Sequence, residues 1–460
     1  MKQLFNVPPS TLTETPPQAE TGWRHPRRSN SLSEVYASIR VPGANASFWR
    51  KLFAFWGPGL MVAVGYMDPG NWATDLAGGS KYGYTLLSVV LISNLFAMLL
   101  QHLAAKLGIV TGRDLAQACR DHYSRPISLM LWFLCEIAIA ACDLAEVIGS
   151  AIALNLLFGL PLAWGVVLTT LDVLVVLFFQ NKGFRIIESI VAGLMVLIFG
   201  CFVYELIVSR PDWVALAHGL VPQRAVVTTP GMLYVAIGIL GATVMPHNLY
   251  LHSSIVQTRQ IEQTEAGKRM AIKFATIDST VALFLAFFIN AAILVLAAAA
   301  FHHNGMLEVA KIQDAYKLLA PVLGAGAASV LFAVALLASG QNSTLTGTLA
   351  GQIVMEGFLD FKLRPWVRRL ITRLVAVVPA LVVALIYGES GTEKLLVFSQ
   401  VILSMQLSFA VVPLVLFTSS RAKMGVFVNR PIVRVLAWSV SAVIIALNGY
   451  LLWETALGEG

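Results

Sequence analysis

Long apolar runs follow one another through most of this chain, and they settle its class before any motif is read. A helix needs roughly 20 apolar residues to cross a bilayer core. Eleven such segments are expected, at about 55–77, 83–106, 127–157, 161–180, 186–208, 231–258, 274–301, 319–357, 370–388, 394–418 and 432–453. Of the 460 residues, 57% are hydrophobic and only 12% charged, whereas soluble domains carry roughly 25% charged residues. The expected fold class is an all-α polytopic membrane protein. The four cysteines, Cys119, Cys135, Cys142 and Cys201, contain no C-x-x-C pair. Neither a disulfide framework nor a zinc site is indicated, and Cys135 and Cys142 read as core filling.

The net charge of +7 raises nucleic acid as a partner, but in a membrane chain charge is read through its position. With the N-terminus in the cytoplasm, all but six of the 32 Lys and Arg fall on that side, the exceptions being Lys81, Arg210, Arg224, Lys311, Lys317 and Lys394. That bias predicts a multi-pass protein of the plasma (inner) membrane with a cytoplasmic N-terminus and an external C-terminus. The lipid bilayer is then the expected partner, with no nucleic acid and no obligate protein partner. Residues 1–50, rich in Pro, Ser, Thr and Arg and without a signal-peptide run, read as a cytoplasmic, largely disordered tail. A short amphipathic helix over residues 31–41 is the alternative there.

Two of the segments are interrupted by polar residues. Tyr66-Met67-Asp68-Pro69-Gly70-Asn71 sits in the first and Gly241-Ala242-Thr243-Val244-Met245-Pro246-His247-Asn248 in the sixth. Proline removes an amide proton and clashes with the preceding turn, so both helices should break. Carbonyls freed in lipid must face protein, water or a ligand, and a carboxylate at helix centre costs roughly 2.5–3.5 kcal/mol by insertion scales. One such break is explained as well by a kink holding a protonated Asp68. Two breaks five spans apart lie on helices of opposite direction, which is the pattern of an inverted repeat with its substrate site near mid-membrane. The expected repeats cover about 51–210 and 228–420 of a membrane domain at 51–460, with the last span, 432–453, outside them.

The residue types at the breaks suggest a metal. Asp68 and Asn71 offer hard oxygen atoms and Met245 a polarizable thioether, a mixture that favours a transition metal over Mg2+ and Ca2+. Methionine alone is usually core packing; its place beside Pro246 makes Met245 the selectivity candidate. The breaks would also free the carbonyls of Gly65 and Ala242. In the third segment Glu136, Asp143 and Glu146 are spaced by seven and three, on one helical face, and intramembrane acids often mark ion paths when they are not simply neutral or paired. His247 and His252 follow the second break and are candidate proton relays, although a lone buried His more often just bonds a carbonyl.

Asp68-Pro69-Gly70-Asn71 and Met245-Pro246-His247 resemble the two signature motifs of the NRAMP family of divalent-metal transporters, and the chain is most similar to its bacterial manganese-transporting branch. The resemblance spans about Trp56 to Trp453. It implies a LeuT-like fold and proton-coupled uptake of Mn2+, with Fe2+ and Cd2+ also accepted. It further implies that Asp68, Asn71, Met245 and the carbonyls of Gly65 and Ala242 hold the metal, and that Gln400 joins them in one conformation. Asp143-Leu144-Ala145-Glu146 resembles the family's acidic motif on the proton path. Arg368 and Arg369, ordinary positive-inside anchors by orientation alone, would by resemblance pair with it. Gly65 departs from relatives that often carry Ala, for which only a change in local flexibility is expected.

The function expected is a proton-coupled symporter that carries Mn2+ inward by alternating access, with no permanently bound cofactor. A Na+-coupled transporter of a small organic solute on a similar fold is the alternative. It should present an open, Gly-rich break to a substrate carboxylate, which Asp68 would repel. An enzyme is not expected, since there is neither an H-E-x-x-H motif nor a catalytic soluble domain.

Overall fold

The computed structural model describes residues 22–457 except 44, 170, 172–182, 308, 310, 325 and 361–364, and leaves out several side chains within 365–397 and those of 454–457. Its centre is a pair of broken helices. The first consists of α2 (Pro58–Val64), a single 3-10 turn at Gly65–Met67, and α3 (Pro69–Tyr82), preceded by the short α1 (Phe48–Phe55). Asp68 leaves helical geometry at φ −68°, ψ 167°, and Pro69 restarts the helix at its first position, where a missing N–H costs nothing. The second break repeats the device. Helix α9 (Met232–Thr243) stops, Val244 and Met245 run extended, and Pro246 opens α10 (Pro246–Ile255). Labels between these are α4 (Leu87–Thr111), α5 (Leu115–His122), α6 (Arg125–Phe158), α7 (Leu162–Thr169) and α8 (Phe184–Ser209).

The C-terminal half continues with α11 (Glu265–Ala300), α12 (Ile312–Leu323), α13 (Gly326–Leu359), α14 (Pro365–Ile386), α15 (Gly388–Thr418) and α16 (Pro431–Leu457). By length and hydropathy alone, eight helical stretches among the described residues qualify as spans. One of them, Pro69–Thr111, runs two expected segments together, and Pro58–Met67 and Leu374–Ile386 are shorter apolar helices. Most of the fourth expected segment lies outside the described residues. The eighth begins at Gly326 rather than 319, because Gly324 takes a left-handed conformation at φ +64° and ends α12 first. The seventh starts earlier, at Glu265, where the Thr264 hydroxyl accepts from the Gly267 N–H at 3.1 Å and caps the helix.

Packing puts the breaks at the middle of the bundle. Helix α11 lies against α2, α3 and α4, while α6 packs along α13 and α15. Small residues allow the backbones to meet: a Cβ at Gly79 would stand 2.3 Å from the Leu294 carbonyl oxygen, and one at Gly108 would stand 2.1 Å from that of Ser253. Gly108→Ala must therefore push α4 from α10, at a cost of about 1–3 kcal/mol, and thermal unfolding in detergent should show it as a lowered Tm. At its N-terminal end α2 is fixed by Asp278, which accepts from the Gly59 N–H at 2.7 Å and the Gly57 N–H at 3.3 Å. Beside it the buried Arg259 bonds Glu188 at 2.6 Å and the carbonyls of Ala54 and Trp56 at 3.1 and 2.8 Å.

Residues 22–43 are ordered against the bundle, where a largely disordered tail over 1–50 was expected. Positions 1–21 lie outside the described residues, but 22–43 run across one end of the bundle in turns and extended chain, without the helix considered for 31–41. Trp23 meets Phe417 with ring centroids 5.7 Å apart and lies under the guanidinium of Arg113 at 4.7 Å. Leu32 is only 5% exposed, and its N–H donates to Glu356 at 3.0 Å. Ile39–Arg40 pairs in parallel with Arg259–Gln260. These partners lie from 90 to nearly 400 positions away, so no local pattern announces the docking.

Candidate metal site at the two broken helices

Each proline removes one helical donor, and the carbonyl it leaves free is the one four residues back. For Pro69 that is Gly65, and for Pro246 it is Ala242. These two carbonyls converge. The Asn71 side-chain nitrogen lies 3.0 Å from the Ala242 oxygen, 3.5 Å from the Gly65 oxygen and 2.7 Å from Asp68 Oδ1. Asp68 Oδ1 also accepts from the Asn71 backbone N–H at 2.9 Å, capping α3. Its other oxygen, Oδ2, is buried and has no hydrogen-bond partner among the described residues. Three oxygen atoms from two broken helices thus surround one point, which a single amide group fills by donation.

Other carbonyls freed by the first break are served differently. Met67 oxygen accepts from the Ser339 hydroxyl at 2.5 Å and from Trp72 Nε1 at 3.3 Å, and Tyr66 oxygen accepts from Asn290 at 2.5 Å. The Gly65 and Ala242 carbonyls instead share the Asn71 amide with the carboxylate. Met245 is fully buried at the start of α10 and packs with Ala138 and Cys142 of α6 and Leu403 of α15. Gln400 lies over the first turn of α3, where a Cβ on Gly70 would stand 1.9 Å from its Nε2. Its Nε2 donates to Ser399 at 3.0 Å, while Oε1 has no partner among the described residues. Asp68 and Met245 are both 0% exposed, so the site is closed to solvent in this structure.

The acidic stripe on α6 divides. Glu146 accepts from the Ser343 hydroxyl at 2.6 Å, and both it and Asp143 face Gly347 on α13, where a Cβ would stand 3.0 Å from Glu146 Oε1 and 3.4 Å from Asp143 Oδ1. Glu136 instead accepts from Trp132 Nε1 at 3.1 Å, near the bundle surface. Cys142 does more than fill the core: its thiol lies 3.5 Å from Glu146 Oε1 and 3.8 Å from His247 Nε2, bridging the acid to the second break. His252 contacts Gln101 at 3.1 Å, and Gln101 donates to the Tyr66 hydroxyl at 2.9 Å, forming a separate polar chain. The side chains of Arg368 and Arg369 lie outside the described residues.

Several polar groups near the site had been assigned no part in it from sequence. Asp75 is buried on α3, two turns after Asp68 and so on the same face, a spacing that was legible. Asn290 also donates to Asn71 Oδ1 at 3.4 Å. Asn248 occupies the space that a Cβ on Gly65 would enter, with its Nδ2 at 2.2 Å from that position, and neither of its amide atoms has a partner among the described residues. Gly65 therefore makes room for an amide; the expected change in flexibility alone is too small a role.

The sequence profile of the family described as Natural resistance-associated macrophage protein-like (Nramp) matches residues 59–454. The chain belongs to the Nramp family. It is 64% identical over 438 residues to the divalent metal cation transporter MntH of Listeria innocua, covering 95% of this chain and 98% of that protein. With MntH of Nostoc sp. it shares 62% identity over 433 residues, 94% and 98% of the two chains. The crystal structure of the Eremococcus coleocola manganese transporter superposes with a TM-score of 0.86 at 44% identity, covering 91% of this chain and 90% of that one. Mhp1, a nucleobase-cation-symport-1 family transporter, matches with a TM-score of 0.59 at 14% identity over 86% and 92% of the chains, a likeness of fold alone. This Nramp chain is accordingly an all-helical membrane protein of LeuT-like fold.

Proposed function

We propose that this Nramp chain carries divalent transition metal ions into the cytoplasm together with protons, preferring Mn2+ and accepting Fe2+ and Cd2+. The convergence of Asp68 Oδ1, Gly65 O and Ala242 O on the Asn71 amide carries the proposal. One anionic oxygen and several neutral ones suit a divalent cation, and Met245, packed with Cys142, would supply the soft donor that Mg2+ and Ca2+ gain little from. The relatives named for divalent metal cation and manganese transport support the same choice. The metal is cargo. Rotation of Asn71 would turn its oxygen toward the ion, and Gln400, poised over Gly70 with a free oxygen, would add a ligand as the helices move.

The excess of Lys and Arg at the end bearing the N-terminal segment supports an orientation with that end in the cytoplasm, under the inner membrane, and the C-terminus outside. In the closed site the Asp278 and Arg259 contacts hold α2 in place. Alternating access would release them as α2 swings. Protons would leave the metal site through His247, Cys142, Glu146 and Asp143, with His252 on a second branch and Arg368 and Arg369 at the exit. Glu146→Gln tests this. It removes an ionisable group without touching the metal oxygens, so metal affinity should stay within about 3-fold of wild type while Mn2+-driven acidification of proteoliposomes is lost. Normal acidification in that variant would remove Glu146 from the path.

A further inference from the structure

Four arms of the chain meet in a pocket far from the metal site. It encloses about 370 Å3 at the end of the bundle crossed by the N-terminal segment. His25 and Arg28 come from that segment, Arg120 and Tyr123 from α5 and the residue after it, and Arg125 from the first turn of α6. Leu129 of α6 and Phe358 of α13 add an apolar wall.

Three arginines around one cavity repel one another unless an anion sits among them. The ion pairs present do not satisfy them. Arg120, with its side chain 10% exposed, bonds Asp121 at 2.9 Å and the Gly357 carbonyl at 2.8 Å, yet its Nη2 is buried with no partner among the described residues. Asp121 is itself shared with Arg113 at 2.9 Å. A second acid, Asp360, lies 3.3 Å from Arg28 and 3.9 Å from Arg120, one carboxylate against two guanidiniums, and neither ion pair involves Arg125. Arg125 forms no ion pair among the described residues, and the N-cap of α6, Ser124, contributes no side-chain hydrogen bond. An anion here would meet three arginines, one of them without an ion pair among the described residues, and the positive end of a 34-residue helix.

Position selects the anion. On α6, Ile127, Leu129, Met130 and Phe133 are 41–59% exposed among the described residues, as lipid-facing side chains are. The pocket therefore opens where those apolar side chains end, at the depth of the headgroups. We propose that it binds the phosphate of an anionic phospholipid of the inner leaflet, with an acyl chain running along Leu129 and α6. Basic pockets between membrane helices at this depth suit such headgroups. A bound phosphodiester would tie the N-terminal segment to α5, α6 and α13 at once. The depth assignment rests on the orientation proposed above, but the test reads lipid, not transport.

Purified protein in nanodiscs or detergent would be titrated with phosphatidylglycerol, phosphatidylcholine and inorganic phosphate, and bound lipid counted by native mass spectrometry. Wild type should hold phosphatidylglycerol in preference to phosphatidylcholine, and Arg120→Gln should weaken it about 10-fold. Because Arg120 also bonds Gly357 and Asp121, the exposed Arg125→Gln serves as a second variant that leaves those contacts intact. A similar loss is expected there. Equal retention of phosphatidylglycerol by wild type and both variants would overturn the site. Arginine-dependent binding of inorganic phosphate without any preference for phosphatidylglycerol would overturn the lipid assignment, leaving a soluble anion as the ligand.

Discussion

Asp68→Ala is expected to weaken Mn2+ binding by more than the 10–100-fold typical of losing a supporting partner, because it deletes the carboxylate that shares the Asn71 amide with the Gly65 and Ala242 carbonyls. What remains is a set of neutral oxygens and one thioether, which cannot offset the dehydration of a divalent ion. The variant also loses the cap of α3, since Asp68 Oδ1 accepts the Asn71 N–H, a loss of about 0.5–2 kcal/mol of stability. Asp68→Asn separates the two effects. An asparagine keeps an acceptor for the cap and removes the charge, so it should fold with a near-native Tm and still fail to bind Mn2+ in calorimetry. Wild-type affinity in a folded Asp68→Asn protein would show that the charge is not used.

The second large effect concerns discrimination. Met245 is fully buried among Ala138, Cys142 and Leu403, so Met245→Ala both opens a cavity, at about 2–5 kcal/mol, and removes the sulfur. Met245→Leu keeps nearly the same volume and should cost under about 1.5 kcal/mol. Both variants should lose about 10-fold or more of the preference for Mn2+ over Ca2+, whereas only the alanine should lose much stability. Competition binding with the two ions on both variants checks this. If leucine preserved the preference, packing and not sulfur chemistry would be the role of Met245.

What could be read from sequence was what local chemistry determines. A proline in an apolar run breaks the helix wherever it stands, and the position four residues earlier loses its donor, so Asp68, Gly65 and Ala242 were accessible to inspection. Met245 was accessible for the same reason. Contacts across the bundle were not. Nothing near Leu32 hints at Glu356, and a tail rich in Pro and Ser reads as disordered until its docking surface is known. Cys142 was read as filler because only the meeting of α6 with α10 places its thiol between Glu146 and His247. Asn248 was passed over because its role depends on the absent side chain of Gly65 on another helix. Asp75 was the avoidable omission, since its spacing from Asp68 needs only helical geometry.

The closed site also bears on how the chain moves. Asp68 and Met245 are sealed from solvent, the N-terminal end of α2 is held by the N–H groups of Gly57 and Gly59 donating to Asp278, and the chain just before it by Arg259 donating to the carbonyls of Ala54 and Trp56. The N-terminal segment adds a second tie at that end, pairing Ile39–Arg40 with Arg259–Gln260 directly beside the same arginine. An inward opening must therefore disturb the segment and the ion pairs together.

The most direct test of the central claim is uptake of Mn2+ by wild-type protein in proteoliposomes, under an inward proton gradient and with a large excess of Mg2+ and Ca2+ outside. The account predicts Mn2+ accumulation that persists against the competing ions and grows with the gradient. A folded preparation that moves no Mn2+ under these conditions would contradict it, and the converging oxygens of Asp68, Gly65 and Ala242 would then need a different cargo.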